Sequence, residues 1–371
     1  MLVSFLSICY NGVQSTVFRR KFRGASPYKG DLEDMGKVSA FLKRKNVLFS
    51  AKRYGIDAMG AMAQGLFASL LIGTIIKTLG QQLNVQFLID AGNFAQQVAG
   101  PAMAVSIGAA LSAAGASYQA MFRNPMVSPD LLGASTGACF GAALAILFGA
   151  SYAVITAGSF LFGLAAVGLT YLVGRLSRMR SNLAMVLAGV MVGSLFSAGT
   201  SFIKLVADTN EQLPAITYWL MGSLSSIKDK DVLFLSIPVT LGMVPLLVLR
   251  WRMNLLTLGE EEAQSMGVNT RRLRGAVIVC ATLLTSASVA VSGMIGWVGL
   301  VIPHFCRMLF GYDYRRLIPA GALFGAAFLL AVDDIARLVT TGELPLGILT
   351  AFVGAPLFLY LIATGGGRRV H

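Results

Sequence analysis

The chain has 371 residues, 56% of them hydrophobic and only 13% charged, and its mean hydropathy is +0.71. Soluble domains carry about 25% charged residues, so a chain this long and this poor in charge is not a water-soluble globule. Its net charge of +13 does not mark a nucleic-acid binder, because the basic residues sit in short clusters between apolar runs, without an aromatic-basic stripe.

The first stretch, MLVSFLSICYNGVQSTVF, lacks a basic region before it and a small-residue cleavage site after it, so no cleavable signal is expected. A basic run follows at 43–53. A membrane span takes about 20 apolar residues. Candidate spans fall near 56–79, 98–121, 133–149, 152–173, 183–206, 231–250, 273–292, 296–310, 318–338 and 346–364. The pattern predicts an all-α, polytopic membrane protein of about ten transmembrane helices, in which many of the 41 glycines allow close helix approach.

Lys and Arg divide unevenly between alternate loops from residue 101 onward. One set holds fourteen: Arg123, Arg175, Arg178, Arg180, Arg250, Arg252, Arg271, Arg272, Arg274, Arg307, Arg315, Arg316, Arg368 and Arg369. The other holds four: Lys204, Lys228, Lys230 and Arg337. The positive-inside rule places the first set, and with an even number of spans both termini, in the cytoplasm.

Two connecting segments have patterns of their own. Segment 208–230, DTNEQLPAITYWLMGSLSSIKDK, predicts a short interfacial helix on the outer face. Segment 254–270, NLLTLGEEEAQSMGVNT, predicts a short amphipathic helix ended by a turn at Gly267 and Asn269. An apolar, partly acidic helix in the cytoplasm calls for a protein partner. The competing reading rests it on lipid headgroups, against which Glu260, Glu261 and Glu262 argue.

Candidate chemistry is sparse. Cys9, Cys139, Cys280 and Cys306 are widely separated and read as free packing thiols, and two histidines do not make a metal site. His304, beside Pro303, reads as structural. No catalytic residue, metal or cofactor is expected, and no G-x-x-x-x-G-K-[ST] occurs, so any ATP hydrolysis belongs to another chain. Arg337 has Asp333 and Asp334 at i−4 and i−3, both within reach on one helical face. The fifth span carries Gly189, Gly193, Ser194, Ser197, Gly199 and Thr200, a surface suited to close packing or to a weakly polar pore wall.

Several of these segments carry a resemblance. RNPMVSPDLLGASTG at 123–137, YWLMGSL at 218–224, NLLTLGEEEAQSMGVN, the run GMIGWVGLVIPHFCRMLFGYDYRRLIPAGALFGAAFLLAVDDIARL and the tail ELPLGILTAFVGAPLFLYLI resemble FecCD-type iron-siderophore and cobalamin permeases, over about 108–371. The resemblance implies the architecture of a type II ABC importer permease in a bacterial or archaeal cytoplasmic membrane. It implies a homodimeric or paralogous permease pair, a cytoplasmic ABC ATPase dimer and an extracytoplasmic substrate-binding protein. The cargo would be an iron(III)-siderophore or a related chelate such as haem or cobalamin. On this resemblance Leu258, Gly259, Glu262, Ala263 and Gly267 would couple to the ATPase, Arg337 would dock the binding protein, and Ser194, Ser197 and Thr200 would line the pathway. The GLVIPH match implies a folded re-entrant turn near Pro303.

The beginning of the chain departs from that pattern. Residues 1–50 read as a partly disordered cytoplasmic segment, and 51–107 as an atypical membrane segment. Residues 41–107 are similar to the opening of a phosphotransferase-system membrane subunit IIC. The Arg-x-x-Arg that opens the family's second span is missing from NFAQQVAGPAMAVS at 93–106. A sugar transporter of phosphotransferase or secondary type, or a non-functional chimera joined near 103–111, are the alternatives.

Overall fold

The computed structural model describes residues 81–82, 85–86, 99–177, 182–225, 227, 229–258, 260–339 and 344–365. The expected span at 56–79, the segment 1–50, most of 51–107, Cys9, Gly259 and His371 lie outside the described residues. The chain divides into two compact units, Met1–Val98 and Ala99–His371. Of the first, only Gln81, Gln82, Val85 and Gln86 are described.

The second unit runs in chain order through α1 (Ala99–Phe122), a 3-10 turn (Pro129–Leu132), α2 (Ala134–Leu147), α3 (Tyr152–Leu176) and α4 (Asn182–Val206). It continues with α5 (Gln212–Met221), α6 (Asp229–Leu256), α7 (Glu260–Ser265), α8 (Thr270–Ser292), α9 (Val298–Phe310), α10 (Tyr314–Val339) and α11 (Leu346–Gly365). Among the described residues there is no strand, and six helices (α1, α3, α4, α6, α8 and α10) are long and apolar enough to cross a membrane. The shorter apolar helices α2, α9 and α11 coincide with the remaining expected spans from 133 onward. The two patterned connectors become α5 and α7.

Burial separates the interior helices from the peripheral ones. Within their most apolar windows α1 and α8 are 67% and 78% buried, against 22–33% for the other four long helices. The two interior helices join through the buried Tyr118 hydroxyl and Thr282 Oγ1, 3.1 Å apart. α8 is rich in hydroxyls yet buried, because Thr285, Ser288 and Ser292 each donate to the carbonyl four residues earlier, at 2.7–2.9 Å. Back-bonding of this kind satisfies a hydroxyl where no water reaches.

Glycine sets how closely α1 approaches its neighbours. An added Cβ on Gly108 would lie 2.2 Å from the Gly325 carbonyl oxygen of α10, and one on Gly325 would lie 2.3 Å from the Gly108 oxygen. An added Cβ on Gly115 would stand 1.8 Å from the Gly299 oxygen of α9. Backbone meets backbone at these crossings, as small residues permit in membrane helix pairs.

The same contact explains a departure from expectation. Pro303 does not break the chain or fold it into a re-entrant turn; it lies inside α9, which runs unbroken to Phe310. A proline in a helix leaves the carbonyl four residues back without its donor. Here that carbonyl belongs to Gly299, and its oxygen lies against Gly115, in space that any side chain at 115 would fill. The real interruption comes earlier, at Gly293 (φ 70°) and Trp297 (φ 69°).

At that point three stretches of backbone converge. Ser223 N donates to Ser292 O and Leu346 N donates to Gly222 O, each at 2.8 Å. Gly222, with φ 75°, sits against Met294 O, and an added Cβ on Gly293 would lie 2.2 Å from Trp219 O. One on Gly347 would lie 2.5 Å from Met221 O. The junction ties the end of α5 to the end of α8 and the start of α11.

Candidate functional site

The connector between α6 and α8 lies at the arginine-rich end of the helices. α7 ends at Gly267, whose φ of 78° is left-handed, with Gly267 N donating to Gln264 O at 2.9 Å and Val268 N to Ala263 O at 3.2 Å. A left-handed glycine just past the last turn is the usual way to terminate a helix. An added Cβ at Gly267 would meet nothing within 4 Å, so the requirement there is conformational and not steric. Asn269 then caps α8 by accepting from Arg272 N at 3.0 Å.

The candidate coupling residues divide by exposure. Ala263 is fully buried, facing the rest of the protein, while Glu262 is exposed and Leu258 and Met266 present apolar side chains outward. Leu258, Glu262 and Met266 therefore form the available surface, and Ala263 and Gly267 set how it is held. Met266 was legible as part of the amphipathic pattern but not as a contact residue. The root of the connector is also fixed: Asn254 Nδ2 donates to Asp313 Oδ1 at 2.7 Å, and Arg123 Nη1 donates to Leu258 O at 3.0 Å.

Asp313, in the loop between α9 and α10, feels opposed influences. Burial pushes its carboxyl up, but the Asn254 amide, the Arg315 backbone N–H and the charges of Arg315 and Arg316 outweigh it, holding it below the usual carboxylate range. A depressed carboxyl stabilises the fold above its unfolded pKa, about 3.9, and that contribution is lost as pH falls through the lower folded value. Asp313→Asn is therefore expected to lower the melting temperature of the protein at pH 7 and to make no difference at the acid end. Melting curves across pH check this; an equal effect at both ends would contradict it.

A second candidate region is a cavity of about 490 Å3 between α4 and the 3-10 turn. Its wall includes Ser194 and Ser197, as expected, together with Gly189, Val190 and Gly193 from α4. Ser128, Asp130, Leu131 and Thr136 complete it from the other side. Thr200, expected alongside the two serines, does not line the cavity; it is buried, with its hydroxyl donated to Phe196 O at 2.9 Å. Asp130 accepts from the Ser135 hydroxyl. Burial raises the Asp130 carboxyl above the usual range, and the Ser135 hydrogen bond pulls the other way. Beyond the cavity, α4 exposes Leu187, Met191, Leu195 and Phe202.

Arg337 sits at the opposite end of the helices, near the end of α10. Its Nε donates to Asp333 Oδ2 at 2.9 Å and its Nη2 to Leu224 O at 3.4 Å. Of the two possible acids, Asp333 takes the pair, and Asp334 points outward. The Arg337 side chain remains 35% exposed, so internal pairing leaves part of the guanidinium accessible. Its other face lies on Gly100 at the start of α1, where an added Cβ would be 2.4 Å from Nη2.

His304 packs edge-on against Phe358 at 5.8 Å, with a buried Nδ1 that has no hydrogen-bond partner among the described residues. Cys139, Cys280 and Cys306 are buried and in no disulfide among the described residues. No group of three His, Cys, Asp or Glu among the described residues could hold a metal ion.

These features define a polytopic helical membrane protein with a held, partly apolar connector at its arginine-rich end. The chain belongs to the FecCD transport family, which it matches over residues 60–364. It is 42% identical over 266 residues to the molybdate import system permease protein MolB of Haemophilus influenzae, spanning 71% of this chain and 79% of that one. It is 38% identical over 268 residues to the hemin transport system permease protein HmuU of Yersinia pestis, spanning 70% and 79%. A solved inward-facing structure of a metal-chelate type ABC transporter is 36% identical, with a TM-score of 0.70 over 82% of this chain and 99% of that chain. The family match begins at residue 60, earlier than the boundary expected at 108, and takes in much of the segment read as similar to a phosphotransferase subunit.

Proposed function

We propose that this chain is the membrane permease subunit of an ATP-binding-cassette importer for metal chelates, with iron(III)-siderophores as the leading cargo and haem and cobalamin as related ones. The FecCD family match over residues 60–364 carries this reading. The arginine-rich end faces the cytoplasm under the positive-inside rule, which puts both termini there. A partner ATPase dimer seats on Leu258, Glu262 and Met266, with Gly259, Ala263 and Gly267 belonging to the same coupling segment. A second permease copy or a paralogue completes the pore, with Ser194 and Ser197 on the pathway wall; Thr200 supports that wall from behind. A binding protein docks at the opposite face, and lipid surrounds the rest.

The mechanism is alternating access. ATP binding draws the two ATPase subunits together, the coupling segment moves with them, and the permease passes between outward- and inward-open arrangements whose populations the nucleotide shifts. A cavity lined by hydroxyls suits a large chelate that must enter and leave, since weak contacts do not trap it. The test is purification of the tagged permease followed by reconstitution with its ATPase and binding protein. ATP-dependent accumulation of a ferric siderophore, haemin or cobalamin is expected. Failure of any ATPase to co-purify, with no ATP-dependent uptake, would refute the importer reading.

Docking gives a separate prediction. Arg337→Ala is expected to weaken capture of the binding protein about tenfold, or about 1.4 kcal/mol, because complementary charge sets approach and register. Asp333→Asn, which releases Arg337 from its internal partner, should leave capture intact. Equal affinity for wild type and Arg337→Ala in a surface-binding measurement would remove the docking role.

A further inference from the structure

The coupling segment does not hang free at the arginine-rich end. We infer that a closed ring of polar contacts fastens it to α1, α9 and α10, and that this ring, more than α7 itself, passes the movement of the partner ATPase into the spans. The inference rests on the importer reading above and names the residues through which that reading would operate.

The ring can be followed contact by contact. Arg123, just past the end of α1, donates through Nη1 to Leu258 O at 3.0 Å. It does so from a left-handed backbone, φ 53°, which is uncommon outside glycine and persists only where surroundings enforce it. Four residues earlier on the same helix, buried Gln119 accepts from Arg307 Nη2 of α9 at 2.5 Å and donates from Nε2 to Val127 O at 3.1 Å. The Arg307 guanidinium also lies against the side chain of Tyr314 at the start of α10. Tyr314 N donates to Asn254 Oδ1 at 2.8 Å, and Asn254 Nδ2 reaches Asp313 at 2.7 Å. Asn254 lies in the last turn of α6, four residues before Leu258, so the path closes on the coupling segment.

Two properties make this more than a set of surface bonds. Arg307 is only 6% exposed, so its guanidinium depends on Gln119 and Tyr314 for solvation. Loosening either contact leaves a buried cation short of partners, which favours the ring moving as a unit. The ring also reaches α1, the interior helix whose glycine crossings lock it to α9 and α10. Displacement of Leu258 is thus delivered to an interior helix packed against α6, α8, α9 and α10, and Arg123 and Asn254 are positioning residues for that transfer.

The test uses the permease in nanodiscs and the complete reconstituted transporter, with Arg123→Ala, Asn254→Ala and the conservative Arg123→Lys. Amide hydrogen exchange over 254–270 in the permease alone should accelerate at least tenfold in both alanine variants and stay within about threefold of wild type in Arg123→Lys. In the transporter, uptake of the chelate that wild type accumulates, drawn from ferric siderophore, haemin and cobalamin, should fall at least tenfold per ATP hydrolysed in the alanine variants. Arg123→Lys should recover most of it; the melting temperature of Arg123→Ala should stay close to wild type, and that of Asn254→Ala, which removes a partner of Asp313, should fall no further than in Asp313→Asn. Unchanged exchange over 254–270, or uptake per ATP within twofold of wild type, would overturn the inference. If wild type itself imports none of these compounds, the importer reading fails instead, and the exchange measurement still decides whether the ring holds the segment.

Discussion

Alanine at Gly293 is expected to remove most of the folded permease from the membrane. Two costs coincide at this residue. Its φ of 70° with ψ of −165° is a conformation taken almost only by glycine, which another residue adopts at a cost of about 1–3 kcal/mol. The added methyl would also meet the Trp219 carbonyl at 2.2 Å, an overpacking of the kind that costs about 1–3 kcal/mol when neighbours can shift. Neighbours cannot shift easily, because Trp219 O belongs to a backbone already held by the Ser223–Ser292 and Leu346–Gly222 hydrogen bonds. Against total stabilities of about 5–15 kcal/mol, the combined loss is large. Gly311→Ala is the control: its φ is 79°, yet an added Cβ would meet nothing within 4 Å. Size-exclusion profiles and melting temperatures in detergent should show Gly311→Ala mildly affected and Gly293→Ala largely aggregated. Equal behaviour of the two would mean that the close approach at Gly293 costs little.

Valine at Gly267 should have the opposite signature: a stable protein that no longer transports. An added Cβ at this residue would meet nothing within 4 Å, so the global fold loses little. A β-branched side chain at φ 78° is strained, however, and the chain relieves that strain by unwinding the end of α7 and breaking the Val268–Ala263 bond. The surface formed by Leu258, Glu262 and Met266 then loses its fixed orientation. Under the importer reading, uptake should drop at least tenfold while the partner ATPase continues to turn over. Gly267→Asn, which tolerates the left-handed region better, should retain much more uptake. Normal transport by Gly267→Val would refute the coupling role. Ala263→Trp is a less discriminating experiment, because Ala263 is fully buried and the change would destabilise the fold as well.

Much of this was visible in the residues. The apolar runs placed the helices because a bilayer demands long apolar helices; each described run from 98 onward became a helix, and six of these are long and apolar enough to cross a membrane. The Asp333–Arg337 pair followed from i−4 spacing. Less local facts were hidden. The hydropathy of α8 does not say that this helix is interior, since its mean of 1.9 equals that of the peripheral α3. Pro303 pointed to a break because its local effect is to remove a hydrogen bond; only the position of Gly115 shows how the freed carbonyl is accommodated. Thr200 was grouped with Ser194 and Ser197 as small, weakly polar residues of one span placed on the pathway by the resemblance. At about 100° per residue on a helix of 3.6 residues per turn, Thr200 points about 120° away from Ser194 and off the cavity wall. Asp130 was missed there because a polar residue between spans looks like an ordinary connector, and Thr136 because a lone hydroxyl inside a span looks like packing, although both stand in the motif RNPMVSPDLLGASTG.

The glycine junction has a consequence for genetics. A clash between two side chains can be cured by shrinking the partner, so a damaging substitution in an ordinary core has nearby second-site suppressors. At Gly293 and Gly115 the opposing atom is a carbonyl oxygen, of Trp219 and Gly299 respectively, and every amino acid carries one. No replacement at 219 or 299 can make that atom smaller. Revertants of such variants should therefore be true reversions to glycine, or changes that shift a whole helix, and intragenic suppressors at the contact position itself should be missing from the spectrum.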